Sequence, residues 1–560
     1  MPDSFGLGLM SSRRQFMSIS MVAAVTAVLA ACGGSSGGDA AVDVEKQSVG
    51  AMDDFTAGTT FKATEPITLS LLWTDWPEYM VTEDSPFMQE LQRRTNVSFT
   101  LTHIPLSDHE EKRSLLISAG DAPEIIPLVY SGQDAPFVSS GAVLPMSDYL
   151  DYMPHFRKLV ADWDLQELVD NLKQADGKNY SLPGLQEVSV PVFTVVIRKD
   201  VFDEVGAGVP QTWDEMRDAL RLIKQRYPDS QPLADGFEGQ ALLNYAAHAF
   251  GAVAGWGFGN GMIDDGTGAL TYSGSSDGYK QMLEYFRGLV EEGLLDTESM
   301  TTTGTTQTTG TIAEKIANNK VFAASGNSQT VIEFAQAMEG TFGAGKFELL
   351  QIAAPGGPAG QIVEPRSFWH GFMLNSSLRD SDHFLATIQF LDWLYYSEEA
   401  REFVMWGVEG DTYTKDDEGA ITLNPDYSLS VYNINVGAPT DLQSDLGYAS
   451  DVLAYGTESR RLKESYNSEA FVAYMDDVLT NRTPRSPMPP APLDEAELEQ
   501  ASLLSTPLKD IVDTNTLKFI LGQRDMSEWD AYVGELEARG LQSYVDLING
   551  ARERFAQNNG

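Results

Sequence analysis

The sequence predicts an α/β protein with two large lobes or more. Segments with strand and helix patterns alternate between residues 67 and 130, which is typical of a parallel sheet with helices on its faces. The chain has 560 residues and 42% hydrophobic side chains, enough to form more than one core. The last third has mostly helical periodicity, so we expect helices to dominate there.

The spacing of apolar residues defines the first elements. Residues 67–73, 97–104 and 124–130 have strand patterns. Between them, residues 85–95 and 110–119 repeat apolar side chains at helical spacing. Because parallel strands need crossover connections, this order predicts a β-α-β-α-β unit.

The rest of the chain also contains both predicted strands and predicted helices. Apolar strands are predicted at residues 190–197 and 321–324, and a Thr- and Gly-rich loop at 301–311. Thr212 and Glu215 have the spacing of a capping box at a helix start. Helical periodicity predicts helices at 212–226, 276–292, 312–318, 382–406, 495–504, 508–521 and 527–556.

The first 32 residues predict export and lipid attachment. Residues 12–17 read SRRQFM, a pattern like a twin-arginine export motif; the alternative is a chance Arg pair before an ordinary signal. The apolar run at 19–31 is too short to span a bilayer. It ends in LAAC, which reads as a lipobox. We therefore predict a signal peptide over 1–31 and a lipid anchor to the membrane at Cys32.

Residues 32–65 predict a flexible tether, since they are rich in Gly, Ser, Ala, Thr and Asp; order is expected to begin at Pro66. No later apolar run approaches the length of a membrane span. We expect an extracytoplasmic protein anchored to the outer face of the cytoplasmic membrane. Cys32 is the only cysteine, so its lipidation would exclude disulfides, thiolate metal sites and a cysteine nucleophile.

The charge of the chain limits its partners. Its 81 acidic and 38 basic side chains give a net charge of −43. Such an excess repels phosphate backbones, so we exclude a nucleic-acid partner. It also favours a neutral ligand over a polyanionic one.

Four ordered blocks of sequence carry a family resemblance. The first block is LISAGDAPEII (116–126), and the second is DGKNYSLP (176–183) with IRKDVFDEVG (197–206) and VPQTWDEM (209–216). The third block is FLDWLYYSEE (390–399) with GVEGDTY (407–413). The fourth is FILG (519–522) with WDAYV (529–533). Together they resemble the extracellular solute-binding lipoproteins of carbohydrate ABC importers, in the branch that includes the alginate-oligosaccharide binding proteins. Glu124 departs from the family pattern, which has Asp there.

The resemblance implies a two-lobed periplasmic-binding-protein (Venus-flytrap) fold with a multi-segment hinge. We place lobe 1 in residues 66–185 and 355–395 and lobe 2 in residues 186–354 and 396–560. The implied protein is a monomer that captures an oligosaccharide between its lobes, without catalysis, and delivers it to ABC permease subunits. The alternatives are an exported, membrane-anchored glycan-processing enzyme and a surface sensor or adhesion module without a permease.

Aromatic residues are the first candidates for ligand contact, because rings cover the apolar C–H faces of sugars. Trp73 and Trp76 end the first strand, at the sheet edge where ligands usually lie, although one of the two must face inward. Trp256 is flanked by glycines, which would allow a ligand to approach closely. Trp369 precedes an apparent crossing between lobes. Core packing is the alternative for each.

Polar candidates lie near strand ends and lobe crossings. Asp121 lies in a block resembling a loop that supplies sugar-binding carboxylates in relatives; the alternative is a turn residue. Asn327 follows a strand at a position where relatives contact ligand. Gln133 follows a strand, and Glu187 lies at a crossing. Arg366 precedes another crossing, with pairing to a surface acid as the alternative.

The sequence predicts no catalytic site, metal site or cofactor. Its six His residues show no spacing typical of a zinc site. It contains neither a Gly-x-Ser-x-Gly elbow nor a phosphate-binding loop. Acidic stretches at 264–268 and 416–419 lack the alternating ligands of a calcium loop and are read as turns. A structural calcium elsewhere stays open.

Overall fold

Two β-sheets organise the part of the chain that the structure, a computed structural model, describes: residues 44, 46–264, 266, 268–301 and 305–559. The predicted signal peptide and Cys32 lie outside these residues. Among the described residues, no helix is both long and apolar enough to cross a membrane.

The first sheet has the strand order β2-β1-β3-β12-β4. The first three of its strands in sequence are parallel, as predicted, whereas β12 runs antiparallel to both of its neighbours. The sheet is therefore mixed. Its strands are β1 (Ile67–Asp75), β2 (Val97–Pro105), β3 (Ile125–Val129), β4 (Ser181–Leu185) and β12 (Phe368–Leu374).

The second sheet has the order β10-β5-β9-β6 and its own hydrophobic core. Its strands are β5 (Thr194–Arg198), β6 (Leu233–Ala234), β9 (Ala323–Gly326) and β10 (Leu349–Ile352). The other strands form two-stranded pairs: β7 (Met262–Asp264) with β8 (Leu270–Tyr272), β11 (Ile362–Val363) with β17 (Thr483–Pro484), β13 (Tyr413–Lys415) with β14 (Ile421–Leu423), and β15 (Tyr427–Ser428) with β16 (Thr440–Asp441).

Helices cover both sheets and dominate the C-terminal third, as predicted. They are α1 (Pro86–Thr95), α2 (His109–Ala119), α3 (Ala135–Val138), α4 (Pro154–Asp162), α5 (Gln166–Asp170), α6 (Lys199–Glu204), α7 (Trp213–Arg226), α8 (Gln240–Ala247), α9 (Asp277–Glu291), α10 (Thr305–Ala317), α11 (Ser328–Phe342), α12 (Phe384–Tyr396), α13 (Glu398–Trp406), α14 (Arg460–Tyr466), α15 (Glu469–Asn481), α16 (Glu495–Ile520), α17 (Trp529–Ala538) and α18 (Leu541–Asn559).

The segment before the first sheet differs from the tether that the sequence predicts through residue 65. Phe61 is fully buried, and its ring lies 5.7 Å from that of Phe390 on α12. The backbone amide of Val49 donates to the carbonyl of Asp382, and that of Gly58 donates to Nε2 of His155. Residues 46–65 thus pack against the first-sheet unit, because a few apolar anchors outweigh the polar composition of the segment.

The helix after residue 396 packs with the first sheet, whereas the sequence-based division assigns it to lobe 2. Phe403 on α13 stacks on Phe87 of α1 at 5.7 Å, and the guanidinium of Arg94 lies 4.4 Å from the Phe403 ring centroid. The amide of Ala449 bonds the carbonyl of Val404. Contacts therefore place α13 and residues 446–449 beside the first sheet.

Three passes of chain connect the sheets and lie side by side: residues 186–193, 353–367 and 455–459. The amide of Glu187 donates to the carbonyl of Glu458, and that of Gln186 donates to the carbonyl of Ser367. Gly184 permits this contact, since a Cβ there would lie 2.6 Å from the carbonyl carbon of Gly456. The passes form one hydrogen-bonded ribbon, which we call the hinge ribbon.

Candidate functional site

Two adjoining cavities, of about 530 and 580 Å³, lie beside the hinge ribbon and share Tyr130. We call them together the cleft. The first is bounded by the carboxyl ends of β1 and β3 and by residues 451–455; the second lies between the two sheets. Parallel strands carry ligand sites at their carboxyl ends, so this position agrees with the strand-end argument from the sequence.

Aromatic rings line the first cavity. Trp76 stacks on Tyr79, with ring centroids 6.2 Å apart. In the same cavity the ring of Tyr455 stacks on His370 at 5.0 Å and meets Trp369 edge-on at 5.8 Å. These rings offer flat apolar surfaces of the kind that cover the face of a sugar.

A second aromatic group lines the cavity between the sheets. Trp256 contacts Phe193 at 5.2 Å and Phe237 at 4.9 Å, and 46% of the Trp256 surface is exposed. The glycines beside it serve the fold rather than a ligand, because a Cβ on Gly255 would lie 2.0 Å from the carbonyl oxygen of Gln240. They let this loop pack on α8, and the packing holds the tryptophan in the cleft.

Arg366 is the cation of the cleft. Its guanidinium lies 4.0 Å from the ring centroid of Trp369, in cation–π geometry. Among the described residues, no carboxylate lies within ion-pair distance of it, so the alternative of a surface ion pair is not realised there. Burial lowers the pKa of Arg366, which remains charged.

Two buried histidines add neutral polar groups. Burial lowers the pKa of His248 and of His370 to about 3, so both imidazoles are uncharged at neutral pH. Neither ring nitrogen of His248 nor Nδ1 of His370 has a hydrogen-bond partner among the described residues. A neutral imidazole has one donor and one acceptor, which suits ligand hydroxyl groups.

Three non-glycine residues with left-handed backbones lie in or next to segments that line the first cavity. Leu128, at the end of β3, has φ +59°, and Ala449 and Ala454, on either side of Asp451, have φ +50° and +56°. These residues lack the freedom of glycine in the left-handed region, so each conformation costs energy that surrounding contacts must offset. Such strain is typical of binding and catalytic sites.

Asp451 faces the first cavity, and within the described part of the chain no cationic side chain forms an ion pair with it. Burial raises its pKa from 3.8 to about 7, with smaller contributions from Glu458 and Glu78. Because the folded-state pKa is the higher one, the folded protein keeps the proton longer, and the stability from this group is complete below pH 3.8 and lost as the pH rises through 7. The Asp451→Asn variant should therefore unfold at a higher temperature than wild type at pH 8, and at nearly the same temperature at pH 4.

The measurement is the melting temperature of both proteins from pH 4 to pH 8. At pH 8 the variant avoids a loss in the free energy of unfolding of at most about 4 kcal/mol. Asp426→Asn, at an exposed site, serves as the control and should follow wild type at every pH. Parallel curves for wild type and Asp451→Asn would show that this carboxyl group titrates normally.

The cleft unites four of the nine predicted ligand residues: Trp76, Trp256, Arg366 and Trp369. Trp73 is instead fully buried in the first sheet and is the inward-facing member of its pair. Asp121 is exposed and precedes β3, so it lies at the sheet edge opposite the cleft. These roles as ligand contacts stay predictions.

The other three predicted residues use their side chains within the fold. Gln133 donates to Glu110 and accepts from Arg113. Glu187 accepts from the backbone amide of Arg460 at the start of α14. Asn327 caps α11 by accepting from the amide of Thr330. None of the three lines either cavity of the cleft.

Sequence reasoning overlooked several cleft residues. Tyr130 directly follows β3, so the argument used for Trp76 applies to it equally. Asp451, Tyr455 and Phe193 carry no local signal, because tertiary packing alone brings them to the cavities. Among the described residues, no group of three or more His, Cys, Asp or Glu side chains is arranged to hold a metal ion.

Comparison with known families assigns the fold and the class of protein. A family described as bacterial extracellular solute-binding protein matches residues 87–408, more than half of the chain. The chain belongs to this family. The solute-binding protein is therefore extracytoplasmic, as predicted, and the resemblance identified from the sequence blocks is confirmed.

Curated relatives align with almost the whole of this solute-binding protein. The fructooligosaccharide ABC transporter substrate-binding protein FusA of Streptococcus pneumoniae serotype 4 is 24% identical, over 96% of this chain and 98% of its own. The polygalacturonan/rhamnogalacturonan-binding protein YtcQ of Bacillus subtilis is 21% identical, over 83% and 88%. Both relatives are binding proteins by name.

Solved structures confirm the two-lobed α/β fold of the solute-binding protein. The alginate-binding protein AlgQ2 without calcium ion has a TM-score of 0.66 at 18% identity, covering 88% of this chain and 99% of its own. The Streptococcus pneumoniae protein FusA in complex with kestose has a TM-score of 0.64 at 20% identity, covering 88% and 100%.

Proposed function

We propose that this protein captures a neutral oligosaccharide in the cleft and delivers it, chemically unchanged, to the permease of an ABC importer. The curated relative that aligns over 98% of its length is named as a fructooligosaccharide-binding component of such a transporter. The observation that carries the proposal is the aromatic lining of the cleft, with Trp76, Trp369 and Tyr455 in one cavity and Trp256 in the other.

The size and division of the cleft suit a chain of sugar units. Each cavity falls within the range of about 300–1,000 Å³ typical of small-molecule sites. Tyr130 borders both, so one ligand that passes it would contact both aromatic groups. The neutral imidazoles of His248 and His370 would serve the hydroxyl rim.

The charges around the cleft favour a neutral ligand. Its lining includes the carboxyl groups of Glu110, Glu111 and Asp451, with the guanidinium of Arg366 as the cation. Two further lining acids, Asp108 and Glu364, are paired with Lys112 and Arg485. A polyuronate would bring further negative charge to these acids, which costs free energy in a partly desolvated site. Arg366, stacked on Trp369, would then donate to sugar hydroxyl or ring oxygens.

Capture would proceed by closure of the two lobes about the hinge ribbon. A ligand that contacts both sheets binds the closed form better than the open one and so shifts the population toward it. The closed form would dock on the permease. A lipid anchor at Cys32 would keep the binder close to the permease and raise the effective concentration.

A thermal-shift screen of the full chain tests the proposal. Kestose and larger neutral oligosaccharides should raise the melting temperature, since a ligand at 100 times its dissociation constant adds about 2.7 kcal/mol to stability. Oligogalacturonides at the same concentration should have no effect. Raising the salt concentration should leave the stabilisation by the neutral ligand unchanged. Chromatography of the recovered sugar should show no cleavage.

Two results would contradict the proposal. One is the absence of stabilisation by every oligosaccharide in a panel of neutral fructans, glucans and galactans. The other is hydrolysis of the sugar by pure protein, which would favour the enzyme alternative.

A further inference from the structure

A third cavity, of about 590 Å³, adjoins the cleft but shares no lining residue with it. Gln351 in its wall bonds the carbonyl of Val192, which lines the cleft. One wall is formed by α11 and β10 of the second sheet. The other is formed by the segment 421–435, which begins with β14, and by the junction between α14 and α15 at 465–471. We call it the rear cavity.

The rear cavity is uncharged. None of the described residues that line it is Asp, Glu, Lys or Arg, although the chain as a whole has 81 acidic and 38 basic side chains. Its tyrosines, Tyr432 and Tyr466, are neutral, because burial raises the pKa of both. A charged ligand would lose its hydration there without gaining a partner, so the occupant has to be neutral.

The walls of the rear cavity differ in chemistry. Val331, Ile332 and Ala335 form an apolar strip on α11. Asn433 and Asn435 lie across from it, and both have left-handed backbones, with φ of +57° and +48°. A surface that is apolar on one side and carries amides on the other matches a sugar ring, which has a C–H face and hydroxyl groups at its rim.

Gln351 supplies an unmet hydrogen-bond acceptor. Its side chain lines the rear cavity and is 6% exposed. Nε2 donates to the carbonyl of Val192 at 3.1 Å and to Oγ1 of Thr194 at 3.2 Å, whereas Oε1 has no partner among the described residues. A buried acceptor without a donor costs about 1–3 kcal/mol, and a ligand hydroxyl would remove that cost.

We propose that the rear cavity is a second binding site, for a neutral sugar unit, lined by residues that the cleft does not use. The sugar packs its apolar face on the α11 strip and bonds the amide of Asn433 and Oδ1 of Asn435 opposite. It donates a hydroxyl hydrogen to Oε1 of Gln351 once that buried amide turns toward the cavity. Trp406 lies in the wall and donates from Nε1 to Oγ of Ser465 at 3.1 Å. Its indole therefore reports on the state of this site.

The test uses the full chain labelled with 5-fluorotryptophan, with the Trp406 signal assigned by Trp406→Phe. Glucose, galactose, fructose, xylose and N-acetylglucosamine are titrated into the millimolar range while the ¹⁹F spectrum is recorded. At least one sugar should shift the Trp406 signal in a saturable way. The cavity variant is Ala335→Phe, and the control is Gln336→Phe at the next, exposed position of α11, which does not line the cavity.

The shift should persist in Gln336→Phe and disappear in Ala335→Phe. Thr422→Phe, which fills the cavity from the other wall, gives the same readout if Ala335→Phe folds poorly. The proposal is overturned if no sugar moves the Trp406 signal, which would leave a cavity for solvent, or if the shift survives both filling variants. The Trp256 signal reports separately on the cleft, so failure of the rear site and failure of the proposed function are distinguishable.

Discussion

Replacing Asp392 by alanine is expected to lower the free energy of unfolding by about 3–5 kcal/mol, because three buried donors would lose their acceptor at about 1–3 kcal/mol each. Asp392 is completely buried on α12 and serves three donors at the start of α4. Its carboxylate accepts from the backbone amides of His155 at 2.9 Å and Phe156 at 2.8 Å, and from Nδ1 of His155 at 2.9 Å.

The same network holds the N-terminal segment. Nε2 of His155 accepts from the backbone amide of Gly58, which assigns the proton to Nδ1 and directs it to Asp392. Loss of the carboxylate would thus leave the start of α4 without its acceptor and release the imidazole that holds residue 58. The network joins three distant parts of the chain, so its removal should affect all of them.

Urea unfolding followed by circular dichroism measures this effect. Asp151→Ala is the control, because this aspartate is 91% exposed and its ion pair with Arg157 is a surface pair, worth about 0–1 kcal/mol. Hydrogen exchange should also become faster in residues 46–65 of Asp392→Ala and remain unchanged in the control. If the two variants unfold at the same urea concentration, the network contributes no net stability.

Replacing Trp256 by alanine should weaken oligosaccharide binding by about 2 kcal/mol, roughly 30-fold in the dissociation constant, which is the size of effect seen for central aromatic anchors. The ring is nearly half exposed and is held by Phe193 and Phe237 in the wall of the cleft. Because its exposed face packs against nothing in the unliganded protein, the melting temperature without ligand should change little.

Calorimetric titration with kestose, or with the best ligand of the thermal-shift screen, gives the affinity. Tyr152→Ala is the matched control, since this ring is 37% exposed and lies outside the cleft. Unchanged affinity in Trp256→Ala would exclude its ring as a ligand contact. A fall in melting temperature without ligand, and no change in affinity, would assign the ring to the core.

Local patterns predicted the first three strands of the first sheet and the helices between them, because these elements have a clear period. The strands β4 and β12 of the same sheet were not predicted. Strand β1 and helix α1 begin at or within one residue of the predicted positions. Thr212 caps α7 as expected. In contrast, α10 begins at Thr305, inside the predicted Thr- and Gly-rich loop, and α16 continues through Pro507 where two helices were expected. Those two predictions relied on the Thr- and Gly-rich composition and on the proline, whereas tertiary packing decides the structure of both segments.

Residues of the cleft could be predicted only where their place next to a strand end or a lobe crossing determines where they lie in the fold. The end of a parallel strand faces the ligand edge, which led to Trp76, and the crossing near β12 led to Arg366 and Trp369. Asn327 also follows a strand, but the start of α11 needed its side chain as a cap. Asp451 and Tyr455 reach the cleft through contacts with Tyr79 and His370, far away in sequence, which no local pattern encodes.

The hinge ribbon allows the apparent affinity for a ligand to change without any change in the residues that line the cleft. Gly184 of β4 lies backbone against backbone on Gly456 of the ribbon, so one added methyl group would force the two segments apart. In the proposed mechanism, such a change would alter the balance between open and closed molecules while every side chain that lines the cleft stays the same. Apparent affinity scales with the fraction of molecules competent to bind. Two proteins with identical binding walls could therefore import the same nutrient at very different external concentrations.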